Sequence, residues 1–154
     1  MAVELYTNIS SLFSRLLLHL SWVCLVSVAC SNSQDTSIPN VAVSESLVIA
    51  EPSNFPLTGI GGWVYHPGGY RGLIVYRQSF SGTSDDFLAY DRACPSHYDA
   101  SCGKVVVESD NFYIACPCDS AKWYLLNGFP LNESSGILKR YTTQFVNGVV
   151  LITN

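Results

Sequence analysis

From Val41 onward the apolar positions fall in short runs, broken at close intervals by Gly, Pro, Asn and Asp, and none shows a sustained helical repeat. Val43 to Ala50 alternates as a strand does, and Glu51-Pro52-Ser53-Asn54-Phe55-Pro56 breaks it into a loop. Ile60 to His66 and Tyr70 to Arg77 flank Pro67-Gly68-Gly69, where the glycines can take positive φ, and this predicts a hairpin. Phe87 to Tyr90 predicts a short strand. Val105 to Glu108 and Phe112 to Ala115 predict a second hairpin about Ser109-Asp110-Asn111, and Lys122 to Leu126 with Phe129 to Leu131 a third about Asn127-Gly128. A fourth joins Leu138 to Val146 and Val149 to Thr153 through Asn147-Gly148. Strands and turns about ten residues apart specify an all-β fold, a small antiparallel sandwich or barrel.

The first thirty residues follow a different pattern. Leu16 to Ala29 is an apolar run of 14 residues interrupted by His19, Ser21 and Ser27, shorter than the roughly 20 needed to span a bilayer. With Arg15 before it, it reads as the apolar core of a signal peptide over residues 1–29. Ser27-Val28-Ala29-Cys30 followed by polar residues resembles a bacterial lipoprotein signal, which implies lipidation of Cys30 and a membrane anchor. Residues 30–40 then form a polar tether and residues 41–154 one β domain. The expected location is the bacterial cell envelope, facing the periplasm or the cell surface.

Composition narrows the functions. The 154 residues are 48% hydrophobic and only 13% charged, with a net charge of −4 and no Lys/Arg run, so a nucleic-acid partner is not expected. No G-x-S-x-G, H-E-x-x-H or P-loop motif is present. Ser96, His97 and Asp99 share one loop, where neighbouring side chains rarely aim at one another, so they are not read as a hydrolase triad. No catalytic residue is assigned. Asn132-Glu133-Ser134 is a glycosylation sequon without consequence in a bacterial host. Trp63, Tyr65, Tyr70, Trp123 and Tyr124 are read as core and cross-strand residues, with a surface subset available to a protein or glycan partner of unknown identity.

The chemistry concentrates between Ala93 and Leu126. Cys94-Pro95-Ser96-His97 is followed by Cys102, and Cys116-Pro117-Cys118-Asp119 lies beyond the predicted 105–115 hairpin, which presents both clusters at one end. Outside the cytosol thiols tend to oxidise, and with Cys24 and Cys30 set aside the four remaining cysteines allow three pairings.

The two boxes resemble the Rieske iron-sulfur family, in which C-x-H and C-x-x-H loops hold a [2Fe-2S] cluster through two cysteines and two histidines. The resemblance covers the whole β domain and is nearest to Rieske-like lipoproteins of the Bacteroidetes group. It is carried by Ile38 to Val41, the two boxes, Lys122-Trp123-Tyr124, Asn127-Gly128, Pro130-Leu131 and the final hairpin. It implies a Rieske-like antiparallel β domain with two cysteine-bearing loops. Cys94 and Cys116 take the cysteine positions, but Ser96 and Asp119 stand where the family has histidine. The only histidines of the β domain are His66, read as a turn residue, and His97, one position past the family's ligand. The resemblance implies disulfides Cys94–Cys116 and Cys102–Cys118 in place of a cluster, and hence no cofactor and a structural or binding role. The alternative is electron transfer through a [2Fe-2S] cluster on Cys94, His97, Cys116 and Asp119. A zinc site ranks behind both, because Cys116-x-Cys118 lacks the usual C-x-x-C spacing.

Overall fold

The computed structural model describes residues 37–132 and 136–154. The assigned signal peptide, Cys30 and part of the sequon lie outside them. Among the described residues no helix is long and apolar enough to cross a membrane. Among the described residues nine strands make up most of the regular structure: β1 (Ser44–Val48), β2 (Trp63–His66), β3 (Leu73–Arg77), β4 (Phe87–Asp91), β5 (Val106–Val107), β6 (Tyr113–Ala115), β7 (Lys122–Tyr124), β8 (Arg140–Val146) and β9 (Val149–Thr153). They form a six-stranded sheet, β1-β9-β8-β4-β3-β2, and a three-stranded sheet, β5-β6-β7, with every pairing antiparallel. This is the all-β arrangement, with two cysteine-bearing loops, that the sequence implies.

The burial of each strand explains its pattern. At the centre of the large sheet, β3 and β4 are almost wholly buried. Leu73, Val75, Phe87 and Ala89 face one core, whereas Ile74, Leu88 and Tyr90 face a second core shared with Ile114 and Trp123 of the small sheet. A strand covered on both faces needs a continuous apolar run, which both sequences supply. β8 and β9 are covered on one face and alternate buried with open positions.

Turn chemistry sets the registers. Asn147 (φ 50°) and Gly148 (φ 80°) both take positive φ, as a tight hairpin of matching twist requires, and Val146 pairs with Val149 across them. The link from β2 to β3 runs from Pro67 to Gly72, taking in Tyr70 and Arg71 that the sequence places in the strand, with Gly68, Gly69 and Gly72 at positive φ and His66 opposite Leu73.

Two segments depart from the expected elements. Pro52–Thr58 is a 3-10 helix rather than a loop, its Leu57 fully buried against the first core. A buried leucine and two prolines of fixed φ favour a tight turn over open coil. Phe129 to Leu131 forms only an isolated bridge, Trp123 to Pro130, because a proline cannot donate to a continuing ladder. Residues 37–40, the end of the segment read as a tether, lie on the domain: Ile38 is buried, and Lys139 Nζ donates to Pro39 O at 2.9 Å.

Candidate metal site

Both cysteine boxes are turns that open on Cys-Pro. In the first, the His97 amide donates to Cys94 O (3.0 Å), which folds the imidazole back over the thiol. The loop then closes through Gly103: its amide donates to Ala100 O (3.0 Å), and its carbonyl accepts from the Cys94 amide (2.8 Å). A Cβ at position 103 would stand 1.7 Å from His97 O, so only glycine lets the loop pack this closely. In the second box the Ser120 amide donates to Cys116 O (2.9 Å), with Ser120 at φ 60°, and the Cys116 amide donates to Ala121 O (2.8 Å). Asp119 Oδ1 accepts from the Ala121 amide at 3.0 Å, which fixes the carboxylate and leaves Oδ2 to face the other loop.

The two turns meet. Cys94, His97, Cys116 and Asp119 each present one donor atom, and all four atoms lie within 4.8 Å of one another. His97 Nδ1 is 3.8 Å from Cys94 Sγ and 3.4 Å from Asp119 Oδ2. The sulfurs are buried, at 0% and 1% exposure for Cys94 and Cys116, while His97 and Asp119 are about a third exposed. Burial pushes the Cys116 thiol well above its ordinary value, and the adjacent Cys94 thiol pushes it the same way. This group could hold a metal ion: neutral imidazole, thiolate and carboxylate are ordinary metal ligands, and a cation would favour the thiolates that burial disfavours.

Of the two bridges implied by the resemblance, Cys102–Cys118 is present in the structure and ties the two loops together across 16 positions of sequence. Cys94 and Cys116 are free thiols instead of a second bridge, their sulfurs turned into the four-donor group. Ser96 is exposed and Asp99 lies on the surface, whereas His97 faces Cys94 and Asp119. His66 stands outside the group and faces Glu45 at 3.6 Å.

Several supporting residues escape sequence reading. Asp91, fully buried, accepts from the amides of Tyr70 (2.5 Å), Arg71 (3.2 Å) and Ala93 (2.8 Å) and from the Tyr141 hydroxyl (2.7 Å). It thereby ties the β2–β3 loop to the strand end that leads into Cys94. Arg71 Nε donates to Tyr98 O at 2.6 Å, and the Tyr70 and Tyr98 rings pack edge to face. On the far side Trp63 Nε1 donates to Asn111 Oδ1 (2.8 Å), and Tyr65 Oη accepts from the Val107 amide (3.0 Å) while Arg92 covers its ring. These aromatic side chains join the small sheet to the large one. An acid three residues before a cysteine, and a glycine directly after one, are the only local signals for Asp91 and Gly103, and both are weak.

No protein-family model and no curated protein matches the sequence. Solved structures with a similar fold include the plasma membrane Rieske protein PetC3 from Synechocystis PCC 6803, at 19% identity and TM-score 0.49, covering 75% of this chain and all of that one. They also include the ferredoxin of carbazole 1,9a-dioxygenase from Nocardioides aromaticivorans IC177, at 16% identity and TM-score 0.45, over 73% and 97% of the two chains. E. coli NirD is similar at 15% identity and TM-score 0.45, over 74% and 98%. The chemistry of the site is therefore read from its own donors. A Rieske centre takes two imidazoles on one iron and two thiolates on the other. The group here offers one imidazole and one carboxylate, set close against the thiolates. These residues do not fit that cluster.

Proposed function

We propose that this protein is a cell-envelope lipoprotein whose Rieske-like domain serves a binding role, with the Cys94, His97, Cys116 and Asp119 group as a metal-binding site. The observation that carries the reading is the convergence of four donors from two loops within 4.8 Å, with both cysteines left as thiols beside a formed disulfide. In this reading a lipid on Cys30 anchors the domain to the membrane surface; the apolar run ending at Ala29-Cys30 and the abrupt polar change after it support that part. In this reading Ser96 and Asp119 are replacements of the family's histidines, and electron transfer through a [2Fe-2S] cluster gives way to metal holding.

Two measurements test it. Full-length protein purified without oxygen should carry or take up a metal, and Cys94→Ser together with Cys116→Ser should abolish uptake. A protein that binds no metal under any loading, and whose Cys94 and Cys116 close into a second disulfide, would overturn the reading. Replacing Cys30 with Ala should move the protein out of the membrane fraction, and unchanged retention would overturn the anchor.

A further inference from the structure

We propose that the site takes a single tetrahedral ion of the zinc class, not a two-iron cluster; this rests on the metal-binding reading above. The argument is one of size. With bonds of about 2.3 Å to sulfur and about 2.0–2.2 Å to nitrogen or oxygen, a tetrahedral zinc ion sets S···N edges of about 3.6 Å, N···O edges of about 3.4 Å and an S···S edge of about 3.8 Å. The observed edges are 3.8 Å for Cys94 Sγ to His97 Nδ1 and 3.4 Å for His97 Nδ1 to Asp119 Oδ2, with no pair beyond 4.8 Å. One ion fills that space. A two-iron centre instead places its thiolates and imidazoles on different irons, with the sulfide bridge between them.

The backbone agrees with the donor distances. Each loop is a Cys-Pro-x-ligand turn, Cys94 to His97 and Cys116 to Asp119, so the ligand spacing that C-x-C lacks is supplied twice by C-x-x-His and C-x-x-Asp. Two ligands three positions apart on each of two facing turns match the x2 ligand spacing common in structural zinc sites. Two thiolates, an imidazole and a carboxylate together exclude calcium and magnesium, which require all-oxygen shells. Three negative charges on the bound ligands are offset to one by a divalent ion, which favours having a cation there over burying bare thiolates. Four protein donors leave no open position, so the ion has a structural or holding role and not a catalytic one. The buried sulfurs form the floor and the part-exposed His97 and Asp119 the mouth, so the ion enters past the imidazole and carboxylate.

The test uses the full chain, purified without oxygen, stripped with a chelator, and loaded in separate arms with zinc alone, cobalt(II) alone, or ferrous iron with sulfide. The expected result is one zinc or one cobalt per chain, the cobalt form showing the intense visible bands of a four-coordinate thiolate site. His97→Ala and Asp119→Ala should each weaken zinc binding more than about tenfold, with the Cys102–Cys118 bond and the circular dichroism unchanged. Two irons and two sulfides per chain, with a reduced-state EPR signal, would overturn the single-ion proposal and the exclusion of the cluster, and leave standing only that these four residues bind metal. Zinc binding indifferent to both substitutions would overturn the ligand set. No binding in any arm would overturn this proposal and the metal-binding reading together.

Discussion

The six-stranded sheet is built from strands of four to seven residues, and the three-stranded sheet from strands of two or three. The first has long ladders and a core of its own, with loops that satisfy their own polar groups, as where buried Asp86 accepts from Ser79, Ser81 and Gly82. The second has too few ladder bonds to stand alone. It relies on the Cys102–Cys118 bond, the Trp63 and Tyr65 contacts, and a core borrowed from one face of β3 and β4. A site that gathers donors from two loops has thus been placed on the region held by cross-links, where loop positions are set by a few specific contacts.

That comparison is tested most sharply by removing the cross-link. Replacing Cys102 and Cys118 together with Ser should cost about 3 kcal/mol for a loop of this length, read as a lower denaturant midpoint. Amide exchange should quicken in β5 to β7 far more than in β1, β8 and β9. An even spread over both sheets would show that the two regions share one source of stability.

Gly103→Ala comes next. The added methyl meets a backbone carbonyl at 1.7 Å, so the His97 turn must move. The expected cost is about 1–3 kcal/mol, with His97 displaced and zinc affinity reduced in parallel. Full affinity in the alanine variant would mean that the turn does not position the imidazole.

Asp86 probes the large-sheet side. Burial works to raise its carboxyl, but the hydrogen bonds from Ser79, Ser81 and Gly82 outweigh burial and hold it well below the usual carboxylate range. A group with a lowered folded value adds stability that is present above the unfolded value of about 3.9 and lost as pH falls below it. Asp86→Asn should therefore flatten the acid limb of the stability profile below about pH 4, with zinc affinity at neutral pH unchanged. A variant as acid-sensitive as the parent would remove Asp86 as the cause.

The smallest effect is expected at Tyr90, whose hydroxyl is buried where the two regions meet and finds no hydrogen-bond partner among the described residues. Tyr90→Phe removes an unsatisfied group without leaving a cavity. Stability should stay within about 0.5 kcal/mol or rise. A clear loss in thermal unfolding would reveal a partner for that hydroxyl.

Much of this was written in local residue order. Asn147-Gly148 and Pro67-Gly68-Gly69 name their hairpins because few residues accept positive φ, and the unbroken apolar runs Leu73 to Tyr76 and Phe87 to Tyr90 mark strands covered on both faces. The four donors could likewise be named from the two Cys-Pro boxes. Tertiary structure decided the rest. Whether Cys94 and Cys116 form a bond or face a shared space depends on how two loops approach, to within an ångström or two, and no spacing encodes that distance. Asp91, Gly103 and Trp63 matter through partners that lie elsewhere in the fold, so nothing beside them in the chain announces their roles. Side-chain periodicity reports which face is buried, but contacts between distant segments arise only once the two sheets have packed.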